Sequence, residues 1–256
     1  MDRLTGKKAL VFGADAITLG IATRFLQEGA SVVAIDIADA LGEFGDSGAQ
    51  TVAIADRGPE AIAKGVREAV GENALDILVI GGGDIPHASE WIGIDAMDVA
   101  PYADGVEKET AAAFAAVKAA GPRLKENGGS VIFLFNPAGL YSEGGFGEAP
   151  AAHHAKRGLA RTLAMEWGQF QIRVNTLVPL ANTPGYRAYR ARNPEVIDWR
   201  VSTTAMKRVG DPVKDVGGAA VFLAADDTRY LTGSMIFADG GAFLGIPVVE
   251  TIVPPA

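Results

Sequence analysis

The tightest constraint on the fold is a repeated alternation of short apolar runs with segments whose apolar residues recur at helical spacing. Lys8-Ala9-Leu10-Val11-Phe12 opens the pattern and ends at Gly13. Thr18 to Glu28 follows, with Leu19, Ala22, Phe25 and Leu26 spaced for one helix face and Gly29-Ala30 as its stop. Further runs lie at Ser31 to Ile35 (ending in Asp36), Thr51 to Ile54, Leu75 to Ile80, Val131 to Phe135, Ile172 to Val178 and Met235 to Ala238. Helical stretches are expected at Pro59 to Val70, Ala103 to Glu126, Ala152 to Trp167 and Val213 to Ala225. Runs this uniformly apolar belong to strands covered on both faces. Strands alternating with helices require right-handed crossovers, so the expected class is α/β, with one doubly wound parallel sheet of about seven strands and helices on both faces. No low-complexity linker or internal repeat divides the chain, and residues 1–256 are expected to form a single domain.

Composition removes several kinds of function. The formal charge is −8 and acids and bases are mixed along the chain, without the basic stripe of a nucleic-acid partner. There is no cysteine, which excludes disulfides, thiolate metal sites and a cysteine nucleophile, and no metal site is expected. No stretch approaches the roughly 20 apolar residues of a membrane span. The N-terminus reaches a strand-like run by Ala9 without the pattern of a signal peptide, so no membrane association and a cytoplasmic location are the expectations.

Open parallel sheets bind ligands at the carboxyl ends of their strands, near the point where strand order reverses. The segments after Phe12, Ile35, Ile80, Phe135 and Val178 should therefore line one crevice. A Rossmann-type dinucleotide site needs a tight glycine turn at a helix N-terminus, where backbone N–H groups and the helix dipole meet the pyrophosphate. Here Gly13-Ala14-Asp15-Ala16-Ile17-Thr18-Leu19-Gly20 has two glycines where three close together are expected. Ala16 and Ile17 add side chains near the phosphates, and Thr18 could cap the helix instead. The turn reads either as a cradle or as a plain connection. Asp36 stands after the second strand, where an acid bonds ribose hydroxyls and repels a 2′-phosphate, which favours NAD. Residues 182–208 fall outside the alternation and carry Tyr186, Tyr189 and Trp199, the candidate contacts of a small-molecule substrate under a lid. The Pro-rich tail, residues 243–256, cannot be helical and is apolar enough to need cover, which a neighbouring subunit could provide.

Taken in order, Val11 to Ala30, Ala55-Asp56-Arg57, Ile172-Arg173-Val174-Asn175 with Pro179, Leu231-Thr232-Gly233 and Asp239-Gly240-Gly241 resemble the short-chain dehydrogenase/reductase family over essentially the whole chain. The resemblance implies that Asp36 holds the adenine ribose of NAD and Asp56 the adenine amine. Gly81-Gly82-Gly83 would lie beside the cofactor, Pro179 next to the nicotinamide and Thr183 near its carboxamide. Gly13, Asp15, Ile17, Leu19, Arg57 and Lys156 complete the implied set.

The implied reaction is hydride transfer to or from a carbonyl. In the family a tyrosine handles the proton, a lysine four residues later lowers that tyrosine's pKa, and a serine orients the substrate oxygen. Lys156 matches the lysine. Ala152 stands at the tyrosine position and Asn136 at the serine position, and the family's helix asparagine falls near Glu109. His153, His154 and Tyr141 lie close enough to replace the missing proton donor, or serve only as surface and loop residues. Lys156 would find a partner in Glu109 or Glu148.

Three readings follow. The first is a divergent NAD(H)-dependent oxidoreductase of a small carbonyl or alcohol with a relocated proton donor. The second is a non-catalytic binding or assembly protein on the same scaffold. The third is a lyase or isomerase similar to the halohydrin dehalogenases in its broken glycine turn, aromatic lid and Pro-rich tail. Val106, Ala113, Phe114, Val117, Ala120 and Leu124 form a stripe on helix 103–126, and Ala155, Leu159 and Leu163 a similar one on helix 152–167. In the resembling family this helix pair builds the dimer interface of a tetramer, so a homo-oligomer is expected.

Overall fold

The computed structural model describes residues 2–82, 94–140, 142, 147–192 and 194–244. Gly83, Tyr141 and the tail beyond 244 lie outside the described residues. Seven strands form one sheet: β1 (Lys8–Phe12), β2 (Ser31–Ile37), β3 (Gln50–Ile54), β4 (Ile77–Ile80), β5 (Gly129–Leu134), β6 (Ile172–Pro179) and β7 (Met235–Ala238). Their order is β3-β2-β1-β4-β5-β6-β7, and every pairing is parallel. The chain reverses its direction of travel across the sheet between β1 and β4, which opens the crevice expected at their carboxyl ends.

The helices are α1 (Ala16–Gln27), α2 (Gly42–Asp46), α3 (Pro59–Val70), α4 (Val99–Leu124), α5 (Pro137–Leu140), α6 (Ala149–Trp167), α7 (Pro184–Arg192), α8 (Pro194–Thr203) and α9 (Gly217–Ala224). Successive strand side chains point to opposite faces, and each face has its own core. Leu10, Phe12, Leu78, Ile80, Val131 and Phe133 meet Ile62, Val66, Val117 and Leu163 of α3, α4 and α6. Val11, Val32, Val79, Ile132 and Leu177 meet Ile21 and Phe25 of α1 and Val221 of α9 on the other face. Among the described residues, no helix is long and apolar enough to cross a membrane.

Several local readings change. Asp15, not Thr18, caps α1: its Oδ1 accepts from Thr18 N at 2.7 Å, while the Thr18 hydroxyl accepts from Asp15 N at 2.8 Å. This reciprocal box satisfies two helix-end groups at once. Ile17 is buried in the core beneath α1 instead of facing the phosphates. Helix α4 starts at Val99, one turn before Ala103, and α6 starts at Ala149 with Pro150 in its first turn. The helix expected from Val213 opens as a π-helical turn (Pro212–Val216) capped by Asp211 and continues as α9.

The supposed α4 stripe divides. Ala113, Val117, Ala120 and Leu124 are buried in the chain's own core, whereas Phe114 faces outward. Segment 182–208 is built from α7 and α8, and Tyr186, Tyr189 and Ile197 form a small core between them. The stretches that carry the family resemblance fasten to one another. Buried Arg173 donates to Leu223 O at 2.6 Å and Thr228 Oγ1 at 2.8 Å, closing the end of α9. Asn175 donates to Leu231 O at 2.8 Å and accepts from Ser234 N at 3.1 Å.

Candidate active site

A crevice of 1290 Å³ lies over the ends of β1, β2 and β4. Its floor is backbone. Gly13 has φ +91°, and a Cβ on it would lie 3.3 Å from Gly81 Cα, while a Cβ on Gly81 would lie 2.9 Å from Phe12 O. Only glycine allows the two turns to approach so closely. A Cβ on Gly82 would meet Lys156 Nζ at 3.1 Å. A floor free of side chains is what an extended dinucleotide needs, and in this respect the residues fit one.

Asp36 reaches the crevice from the end of β2, but its side chain has no exposed surface. Oδ2 accepts from Ala14 N at 2.7 Å and Oδ1 from Ile37 N at 2.7 Å. Arg57 clasps the same carboxylate through Nε (2.8 Å, to Oδ1) and Nη2 (2.9 Å, to Oδ2). That hydrogen-bonded pairing with Asp36 raises the Arg57 pKa. Asp56 is exposed on the crevice wall, and its Oδ1 accepts from Gly58 N at 2.6 Å.

The glycine turn holds an anion of its own. Besides capping α1, Asp15 accepts from Gly82 N through Oδ2 at 3.4 Å. Desolvation raises the Asp15 pKa, against hydrogen bonds from Thr18 and Gly82 that lower it. A carboxylate thus occupies the N–H groups and positive dipole end that attract a phosphate. Leu19 lines the crevice one turn further along α1.

At the other end Lys156 projects from α6, 2% exposed, and its Nζ lies 2.5 Å from Glu109 Oε2 of α4. Of the two expected partners, Glu109 is the one engaged. Glu109 itself is 53% exposed. Burial acts to raise its pKa, but the Lys156 charge and hydrogen bond prevail and lower it.

Ala152 is fully buried and, like His153 and Asn136, does not line the crevice. His153 Nε2 accepts from Asn136 N at 3.0 Å, so the neutral ring carries its proton on Nδ1, a buried atom with no geometrically sound hydrogen bond among the described residues. Burial first, and the Lys156 charge second, push its pKa down to about 4. His153 is therefore neither a surface residue nor an acid at neutral pH. His154 is exposed. Asn136 Oδ1 accepts from Gly139 N at 2.9 Å and stabilises the turn of α5.

The structure brings Gly13, Asp15, Leu19, Asp36, Asp56, Arg57, Gly81, Gly82 and Lys156 to one crevice. It does not bring Ile17 or Pro179 there. Thr183 is buried and its hydroxyl accepts from Tyr186 N at 3.0 Å at the start of α7. Tyr186 and Tyr189 are turned into the α7–α8 core, and Trp199 is exposed; none of the three lines the crevice. The Arg57 clasp went unread in the sequence. Its signal lay in the β2–β3 register, which pairs Asp36 with Ala53 and brings Arg57, just beyond β3, within reach.

A seven-stranded parallel sheet with a crevice at its switch point defines a protein of the Rossmann-fold class. Residues 13–242 match the family described as enoyl-(acyl carrier protein) reductase, and the chain belongs to the short-chain dehydrogenase/reductase family. It is 28% identical to 12α-hydroxysteroid dehydrogenase of Clostridium sp., over 94% of this chain and 98% of that protein. It superposes on carveol dehydrogenase from Mycobacterium avium in complex with NAD with a TM-score of 0.80, at 26% identity over 94% of this chain and 99% of the other. A structure from Beutenbergia cavernae with bound NADP at low occupancy gives a TM-score of 0.81 at 25% identity, over 94% and 98%. Relatives named as dehydrogenases support an oxidoreductase, and neighbours holding NAD and NADP support a nicotinamide cofactor in general.

Proposed function

We propose that the protein binds a nicotinamide dinucleotide in the β1–β4 crevice and interconverts a small carbonyl and its alcohol, with the Lys156–Glu109 pair handling the proton. The observation that carries this reading is the Lys156 ammonium, almost wholly buried in the crevice wall and held by a carboxylate that reaches solvent. A bound nicotinamide would supply or accept the hydride. An ammonium has three N–H donors, so Lys156 can keep Glu109 and still donate to a substrate oxygen. As negative charge grows on that oxygen during reduction, the ammonium stabilises it and gives up a proton. Glu109, half in water, then returns a proton from solvent to the Lys156 amine. In the oxidative direction each transfer reverses. The tyrosine's role passes to the residue that tyrosine normally accompanies, and His153, neutral and tied to Asn136 N, takes no part.

The test uses the full chain with NADH and NADPH, scored by melting temperature and by nicotinamide absorbance against a panel of ketones and secondary alcohols. A ligand at a hundred times its Kd adds about 2.7 kcal/mol of stability. In a chain of this size that is an upward shift of about 5–10 °C. Turnover should disappear in Lys156→Ala while binding persists. No shift with either dinucleotide at millimolar concentration overturns the proposal. Asp15 and Asp36, both satisfied within the chain, favour a second reading, a scaffold that keeps the fold without turnover. That reading predicts no substrate oxidation or reduction across the panel and an unchanged phenotype in Lys156→Ala.

A further inference from the structure

We infer that Arg57 sets the dinucleotide preference: it silences Asp36 and presents a guanidinium to the 2′-phosphate of NADP(H). This rests on the dinucleotide-binding reading above and reverses the preference for NAD that an acid at position 36 implies. A carboxylate has about four lone-pair directions. Asp36 has four donors on its two oxygens, from Ala14 N, Ile37 N, Arg57 Nε and Arg57 Nη2. A ribose diol approaching from the crevice therefore finds no acceptor there. It finds Arg57 instead, whose side chain is 57% exposed above the fully covered carboxylate. Its remaining nitrogen, Nη1, makes no hydrogen bond to any described residue.

The charge around the site makes the position of each cation decisive. Among the described residues seven carboxylates line the crevice against three cations, so a further phosphate can be held only where a cation offsets them. Lys108 pairs with Asp104 at 2.6 Å and Lys156 with Glu109; Arg57 pairs with Asp36 at the end of β2, the adenosine end, and keeps N–H donors beyond that pair. Guanidinium matches a phosphate with parallel N–H donors, and such charge-assisted bonds are about twice as strong as neutral ones. Nε and one N–H of Nη2 suffice to hold Asp36, so the other three of the guanidinium's five N–H donors can meet a phosphate while the carboxylate stays neutralised.

The experiment compares four ligands by calorimetry and melting temperature on the full chain: NADPH, NADH, adenosine 2′,5′-bisphosphate and 5′-AMP. The last two report on the adenosine end without the nicotinamide. The wild type should bind NADPH at least as tightly as NADH, and the bisphosphate should raise the melting temperature more than 5′-AMP. Arg57→Gln should weaken NADPH by about tenfold or more, the loss of one or two charged hydrogen bonds, while NADH holds or gains. Arg57→Lys, which keeps the charge and loses the fork, should fall between and provides the comparison if the glutamine variant folds poorly. Tighter binding of NADH and 5′-AMP by the wild type, or equal weakening of both dinucleotides in Arg57→Gln, overturns the inference alone. Failure of all four ligands to bind overturns the crevice reading and this inference with it.

Discussion

Replacing Glu109 by glutamine should cost more stability than removing the lysine it serves. The asymmetry follows from burial: Lys156 is 2% exposed and Glu109 53%. Breaking a buried ion pair and leaving one charge behind typically costs about 3–5 kcal/mol. Water reaches the Glu109 side and screens part of the attraction, so about 2 kcal/mol is expected for Glu109→Gln. For a chain of this length, each kcal/mol moves the melting temperature by about 2–4 °C, which gives a fall of about 4–8 °C. Lys156→Met removes the buried charge, fills most of its volume and leaves Glu109 in water, at a cost below about 1 kcal/mol. The double variant should resemble Lys156→Met and not the sum of the singles, because the two residues interact directly. Acid adds a check. Glu109 has a lowered pKa, so its contribution is full above the ordinary value of 4.5 and is lost as pH falls through the lower folded value. That acid-dependent loss should shrink in Glu109→Gln. Calorimetric melts across pH measure all of these. Additive single effects, or a larger loss in Lys156→Met than in Glu109→Gln, would refute the picture of a buried cation held by a half-solvated anion.

Asp15→Asn keeps an oxygen to cap α1 and removes the anion from the turn; dinucleotide affinity should rise by calorimetry, and equal or weaker binding would sink the idea. Because the Asp15 pKa is raised, wild-type stability should fall as pH rises from 3.8 through the folded value, a slope that Asp15→Asn lacks. His153 titrates at about 4 in the fold against 6.5 free, so stability should drop as pH is lowered across that window. His153→Phe should flatten this drop and cost about 1–3 kcal/mol at neutral pH for the stranded Asn136 N–H, read from urea melts. Ala152→Tyr places a phenol four residues before Lys156 in a fully buried position, where overpacking costs about 1–3 kcal/mol. It should lower the melting temperature without raising turnover, and activity gained at unchanged stability would show that the crevice still has room for the phenol.

The sheet was legible because its strands are too uniformly apolar to be anything but buried on both faces, and the parallel order follows from the helices between them. Helix ends were less so. Val99 to Tyr102 extend α4 although Val99 is exposed and Pro101 stands in the first turn, where a missing N–H costs nothing. The aromatic residues of 182–208 were read as lid contacts from their type alone. Tyr186 and Tyr189 turn inward because α7 and α8 are short amphipathic helices that need a core of their own, and Ile197 completes it. Phe114 was assigned to the α4 stripe by spacing, yet it lies next to Ala113, about 100° round the helix, and so faces out when Ala113 faces in.

At the crevice, sequence says less about what a residue is free to do than about where in the fold it stands. Asp36 and Asp15, expected at the strand ends, and Lys156, expected from the family resemblance, all line the crevice. What a carboxylate can offer a ligand, however, is the acceptor capacity left after its own neighbours are served. For Asp36 that capacity is consumed by a turn N–H twenty-two residues back, the next residue's N–H and an arginine twenty-one residues on. For Asp15 it is drawn on by its own helix and by Gly82. The Asp36–Arg57 contact crosses from one parallel strand to its neighbour, so it obeys sheet register and not sequence distance. A dinucleotide entering this crevice therefore meets carboxylates already served by the protein at Asp36 and Asp15, and meets positive charge at Arg57 and at Lys156, each held by a carboxylate of the chain. Selectivity in such a site is decided by which internal contact leaves donors to spare, and the half-exposed Arg57 has them while the helix end at Asp15 offers a carboxylate.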